Sequence, residues 1–389
     1  MAYSGQLRSN LILAAIFNMI ISQQVEVDNL GNHQRIVDGA KVDGSLYGDT
    51  RLFYATDVLE SYPWNGDSEA ANLLNVYRPK APNCQAFYLD QFRQIPLTID
   101  NYLSKQAWSD EFTFGQFNGV MLSWMGETKR MYEARLYQCF LGTTVATVGK
   151  QKITKTLTSG KEGRELAEEV ANLTDELKDY TRDYNNLGYM RSYAAKDIKI
   201  IWNNLFVNKI TYTELPAIYH KAEIEDMFKR SESMNNRYFG IVITNSNKGT
   251  YSDNTPAAGK PLDADGNYAY TPGTNHANGC VRSLVERDFT IGATTTHVFP
   301  GDEIPATAKV STTSAADTAL FGEIYIEAGV GGIDPVYAKV YTKLPPMMSA
   351  FEVGTLFYNP KALLETHYLT WGYNTLDYFE DKPFITICK

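Results

Sequence analysis

Five histidines, four cysteines and scattered carboxylate pairs are the side chains from which this 389-residue chain would have to build a reactive centre. The histidines, His33, His220, His276, His297 and His367, stand in no HExxH, HxH or other zinc-ligand spacing. Cys84, Cys139, Cys280 and Cys388 form no CxxC and have no short-range partner. That signals neither a zinc ribbon nor a disulfide framework, and fits free thiols in a reducing compartment. His276 and Cys280 are four positions apart in TNHANGCV but lack a second ligand pair, and they read as loop residues. His297 precedes Asp302 and Glu303 in HVFPGDEIP, which reads as a polar turn. LDADGNY places Asp263 and Asp265 like the start of a calcium loop, yet Thr274 stands where the bidentate acid belongs.

Other chemistries fail in the same way. Gly329–Gly332 (GVGG) follows a strand pattern but leads into IDPVYAKVY, so it lacks the helix N-terminus of a phosphate cradle and reads as a turn. No GxSxG, SxxK or P-loop pattern occurs. Asp110 with Glu111, and Glu168 with Glu169, are adjacent; on a helix they point about 100° apart and cannot flank one bond. The expectation is a chain that is not an enzyme, with no catalytic residue, no cofactor and no metal.

The elements that would position such residues are long. From Val37 to Ile99 two stretches rich in β-branched and aromatic residues, bounded by Gly, Pro, Asn and Asp, read as the limbs of one extended excursion. Asp110 to Leu141 reads as a helix of roughly 45 Å, with Phe114, Phe117, Met121, Trp124, Thr128, Met131, Leu136 and Phe140 as its buried stripe. A second helix, Arg164 to Tyr184, carries Leu166, Val170, Leu173, Leu177, Tyr180 and Tyr184 and is expected to lie on a sheet. DIKIIWNNLFVNKI begins as a strand, LPAIYHKAEIEDMF is helical in pattern, and RYFGIVITNSN holds a buried strand. Ser246 to Ile333 turns to Gly, Pro, Thr, Asn and Asp with short β runs, which implies an all-β insertion, and PFITI reads as a closing strand.

The bulk properties set limits on partners. Hydrophobic residues at 44% and charged residues at 21% suit a packed chain, and its length suits more than one core. Aromatics at 13%, among them 26 Tyr, favour large contact surfaces. A formal charge of −9 opposes tight nucleic-acid binding, which rests on clustered Lys and Arg. Leu11 to Ile21 is apolar apart from Asn18 but shorter than the ~20 residues a membrane helix needs, and it is expected to be an arm packed on protein.

The order of arm, extended loop, long helix, α+β part and closing strand resembles the tailed-phage major capsid proteins of the Hong Kong 97 type. Within them the chain looks like those of small, short-tailed (podovirus, picovirus-group) phages related to the Bacillus phage phi group and its streptococcal and staphylococcal counterparts. Three stretches carry the likeness: PNCQAFYLDQFRQIPLTIDNYLSKQAW, AAKDIKIIWNNLFVNKITYTELPAIYHK and GTLFYNPKALLETHYLTWGYNTLDYFEDKPFITI. Residues 246–333 match nothing in the family's pattern.

The resemblance implies an α+β fold with an N-terminal arm (1–36), an extended loop (37–99), a peripheral domain with the spine helix (100–160) and an axial domain (161–245). An inserted β subdomain (246–333) and a return through the axial domain to a closing peripheral-domain strand (334–389) complete it. The implied function is self-assembly, through pentamers and hexamers, into an icosahedral head enclosing dsDNA. Portal and scaffolding proteins would be partners, the DNA would be contacted weakly and non-specifically, and no membrane would be involved. Assembly would take place in the host cytoplasm. Tyr47, Phe53, Tyr88 and Phe92 on the loop limbs are the expected intersubunit anchors. A secreted or surface carbohydrate-binding or carbohydrate-processing protein, or another virion structural protein, is the alternative.

Overall fold

The computed structural model describes residues 35–43, 50–62, 76–100, 111–143, 149–209, 232–253, 262–263, 280–291, 294–304, 322–330 and 333–389. The arm expected at the N-terminus, the helical LPAIYHKAEIEDMF segment and the AKVST run lie outside them, apart from residues 35 and 36. The fold is mixed α+β, and it divides into two compact units. One draws on Met1–Thr50, Tyr88–Gln138 and Pro346–Leu376; the other draws on Arg51–Phe87, Cys139–Pro345 and Asp377–Lys389.

In the first unit the strands are long because period-two sequences meet in register. Leu364–Asn374 lies between Met347–Asn359 and the 18-residue strand Asn83–Asp100, antiparallel to both, with Tyr373 opposite Gln91 and Leu364 opposite Asp100. At ~3.3 Å per residue that 18-residue strand is about 60 Å long. Lys41–Asp43 adds a parallel edge along Met347–Ser349. The strand Thr50–Ala55 lies beside Asn83–Asp100; all of it but Thr50 belongs, like Asn83–Phe87, to the second unit.

Against this sheet packs the long helix Glu111–Thr143, whose 33 residues span about 50 Å. Its deeply buried face in this unit is Met125, Lys129, Tyr132, Glu133 and Tyr137; Trp124, Thr128, Met131 and Leu136 are only half-buried. The expected stripe is therefore displaced by one position. The physical reason is that the buried face contains an ion-pair network, which no apolar periodicity reveals. Glu133 accepts a hydrogen bond from Ser349 at 2.8 Å and pairs with Lys41 at 3.0 Å, while Lys129 reaches Glu352. Beside it the Tyr132 and Tyr373 hydroxyls are 2.8 Å apart, and Arg93 lies over the Tyr132 ring.

The second unit is built on a five-stranded sheet in the order Lys152–Thr154, Phe384–Cys388, Val336–Tyr341, Lys199–Asn203, Glu232–Met234. Every residue of the closing strand FITIC and of VYAKVY is buried, which is what near-continuous apolar runs imply. The helix Glu162–Lys178 covers this sheet, seating Leu166, Val170, Leu173 and Leu177 among Ile198, Ile200, Trp202, Val340, Ile385 and Ile387. It ends before the expected Tyr184. Asp179 adopts an extended conformation and its carboxylate accepts from the Tyr180 amide, an alternative to the helical bond, so Tyr180 turns out to solvent.

Residues from the expected insertion are not all peripheral. Val281–Ser283 and Ile324–Glu327 pair with each other, and Ile324–Glu327 pairs on its other side with Gly240–Val242, forming a buried three-stranded sheet. Gly240 is required there by close approach, since a Cβ would stand 2.2 Å from the Ile326 carbonyl oxygen. Among the described residues, no helix is long and apolar enough to cross a membrane.

Two stability measurements follow. Gly240→Ala should lower unfolding free energy by about 1–3 kcal/mol through overpacking, read as a shift of the urea midpoint at unchanged slope. Glu133→Ala should cost about 2–3 kcal/mol, below the ~3–5 kcal/mol of a fully buried broken pair, because Lys41 is partly exposed and can turn to water.

Candidate interaction surfaces

The loop limbs leave the second unit through a fastened root. Phe53 sits half-buried in a cluster of three rings, 5.5 Å from Phe87 and 4.9 Å from Phe379, all edge-on. The Lys343 ammonium caps two of these rings, 4.8 Å from Phe53 and 4.7 Å from Phe379. Aromatic pairs add roughly 0.5–1.5 kcal/mol each beyond area burial, and a partly desolvated cation on their faces adds to that. On the other limb Asn83 donates to Glu380 at 2.7 Å, Gln85 donates to the Tyr378 carbonyl at 2.6 Å, and the Gln85 side-chain oxygen accepts from the Glu380 amide.

Asp57 closes the root. Its carboxylate accepts from Arg182 at 2.6 Å and from the backbone amides of Met190 and Val58, and Arg191 donates to the neighbouring Thr56 carbonyl. The Arg182 bond is the main reason its pKa is lowered to about 2. Past this point the apolar side chains are uncovered. Leu59 and Val76 are each 76% exposed, Val58, Tyr62 and Tyr77 more than half, and the Tyr62 and Tyr77 rings lean on each other at 4.7 Å. A cavity of about 190 Å³ opens beside the ring cluster, bordered by Tyr54, Gln85, Lys343 and Lys382. It is smaller than the ~300–1,000 Å³ of typical small-molecule sites.

The first unit has its own uncovered apolar end, the tip of the Met347–Asn359 and Leu364–Asn374 hairpin. Leu356, Phe357, Tyr358 and Leu363 are all exposed. Successive strand residues point to opposite faces, so Leu356 and Phe357 leave both faces of the tip unpacked. The turn is held by Asn359, whose side-chain oxygen accepts from the Lys361 and Ala362 amides.

Of the expected anchors, Tyr88 and Phe92 are exposed, with Phe92 also edge-on to Phe351 at 5.7 Å. Phe53 is engaged inside its own chain, and Tyr47 lies outside the described residues. Asp57 and Arg182, which shape the root with Lys343, carry no sequence signal, because they stand 125 positions apart.

The described positions weighed for chemistry gather into no reactive cluster. His297 contacts Glu286 and Asp288, while Asp302 accepts from the Phe299 amide. Burial pushes the Cys280 thiol up to about 12; His276, Asp265 and Thr274 lie outside the described residues. None of the four cysteines is in a disulfide. Among the described residues, no group of three His, Cys, Asp or Glu side chains is arranged to hold a metal ion. Gly329 takes a left-handed turn conformation at φ 85°.

No protein-family model matches the chain, and no curated protein sequence matches it. Solved structures do. A chain of the capsid structure of Staphylococcus phage Andhra is 13% identical, with 88% of this chain and 80% of that one covered at a TM-score of 0.52. A chain of the structure of the head fiber and inner core protein gp22 of native bacteriophage P68 is 12% identical, covering 90% and 83% at 0.55. At these identities the likeness is one of fold.

The root generates a local prediction. Because the folded carboxyl of Asp57 is depressed, its contribution is present above the unfolded value of ~3.9 and disappears as pH falls through about 2. Protection of the Met190 backbone amide, with exchange corrected for the intrinsic chemical rate, should therefore hold to pH 4 and fall towards pH 2. In Asp57→Asn it should be several-fold lower already at neutral pH.

Proposed function

We propose that this chain is the major capsid protein of a short-tailed bacteriophage, with a Hong Kong 97-type fold, assembling through pentamers and hexamers into an icosahedral head. The observation that carries the reading is a shared fold across most of the chain with a component of a phage capsid structure. The two uncovered apolar ends support it, since contiguous exposed apolar and aromatic side chains mark surfaces that gain stability by being covered. In this reading the loop limbs beyond Asp57 lie on a neighbouring subunit, and the long helix is the spine of the peripheral domain. The helix-covered five-stranded sheet is the axial core. Residues 246–333 form a β subdomain rooted in the three-stranded sheet. The chain catalyses nothing; portal and scaffolding proteins meet it during assembly, and its net negative charge keeps contact with the packaged dsDNA weak and non-specific.

Many modest contacts summed over several neighbours make such a shell stable while each single contact stays reversible. Leu59, Tyr62 and Tyr77 replace Phe53 as the proposed loop anchors, together with Tyr88 and Phe92. Negative-stain microscopy of the purified full chain should show capsomer rings, tubes or shells. The double variant Leu59→Asp with Tyr62→Asp should keep the parent's thermal unfolding midpoint yet remain unassembled. A parent chain that stays monomeric at high concentration, with and without a co-expressed scaffolding protein, would overturn the reading. Fibres in place of rings would favour the other virion role.

A further inference from the structure

One histidine is held in an arrangement that a neutral ring cannot satisfy. His297 lies on the strand Thr294–Val298, directly opposite Asp288 of the antiparallel partner Arg287–Ile291. Its Nδ1 is 2.5 Å from an Asp288 carboxylate oxygen and its Nε2 is 2.8 Å from a Glu286 carboxylate oxygen. A neutral imidazole carries one N–H, so one carboxylate would face a lone pair; only the imidazolium donates to both.

Among the described residues, the groups around the ring are these. Phe299 meets it edge-on at 4.8 Å. The neighbouring Arg287 is turned to Glu323 at 2.5 Å, and the Asp302 carboxylate accepts from the Phe299 amide. A two-stranded hairpin is marginal by itself, and here its ends differ. The Val298 end is buried, and Leu284, just before Glu286, donates its amide to the Glu323 carbonyl at the three-stranded sheet. The Asp288 and His297 pair stands out on the exposed part of the strands.

We propose that His297 with Glu286 and Asp288 forms a proton-operated clasp that holds the strands Arg287–Ile291 and Thr294–Val298 together and releases them on deprotonation. The bond to Asp288, and then Glu286, raises the imidazole's pKa above 6.5 against the opposing effect of partial burial. A raised base stabilises the clasped form fully below its unfolded value, and that stabilisation is lost as pH rises through the folded value. The clasp is thus closed in acid and opens on the alkaline side of 6.5. This inference is independent of whether the chain forms a shell.

Amide hydrogen exchange of the full chain between pH 6 and 9, corrected for the intrinsic chemical rate, tests it. Protection of the two strands should fall several-fold across that range in the parent. In His297→Gln, and in Glu286→Gln combined with Asp288→Asn, it should be low and flat. A parent whose strand protection does not change with pH, or a His297→Gln chain that shows the same fall, overturns the proposal. Should either variant misfold, the parent decides alone: the His297 ring carbons must titrate above 6.5 by NMR, and a midpoint at or below 6.5 refutes the clasp.

Discussion

A pair of strands that leaves a folded body can hold a direction only if it is fixed where it departs. In the second unit that fixing is done by charge and aromatic faces together. Asp57 gathers Arg182 and the Met190 amide, Lys343 lies across Phe53 and Phe379, and Gln85 exchanges hydrogen bonds with Tyr378 and Glu380. Each contact is worth little in water, but several converge on a few residues of each limb, and ordering those residues is what makes each further contact inexpensive in entropy. The apolar side chains beyond the root then start from a pre-organised position, which reduces the cost of docking them on anything else.

The first unit solves a related problem by burying ions instead of excluding them. Glu133 is almost wholly enclosed, and its partners come from its own helix, from the strand at Lys41 and from the strand at Ser349. Buried ion pairs contribute little net stability compared with apolar packing, but a displaced partner leaves an uncompensated charge. That penalty fixes the helix against the sheet in one register. Tyr132, hydroxyl to hydroxyl with Tyr373, repeats the logic one residue away.

Much of this architecture was legible in the sequence, and the failures have one cause. The long helix, the helix seated by Leu166, Val170, Leu173 and Leu177, and the closing strand all announce themselves by apolar period. What escaped was polar and long-range. Lys129 and Glu133 occupy the buried face where a hydrophobic template rejects them, so the stripe was placed one residue away. Phe53, an aromatic on a strand limb, has no way of announcing that Phe87, Phe379 and Lys343 will pack on it within its own chain. Asp179 ended its helix early by a local side-chain bond, a signal present in the sequence but outweighed by the continuing apolar spacing of Tyr180 and Tyr184.

The division of labour along the loop has an evolutionary consequence. Among the described residues, the root contacts in the second unit lie at or before Asp57 on one side and from Asn83 to Phe87 on the other, while Val58, Leu59, Tyr62, Val76 and Tyr77 contribute to no described core. Substitutions in that outer stretch are therefore decoupled from folding of the unit that carries it. A lineage can rewrite the surface offered to a partner, and drift in which partner it fits, while the scaffold beneath experiences no selection against the change.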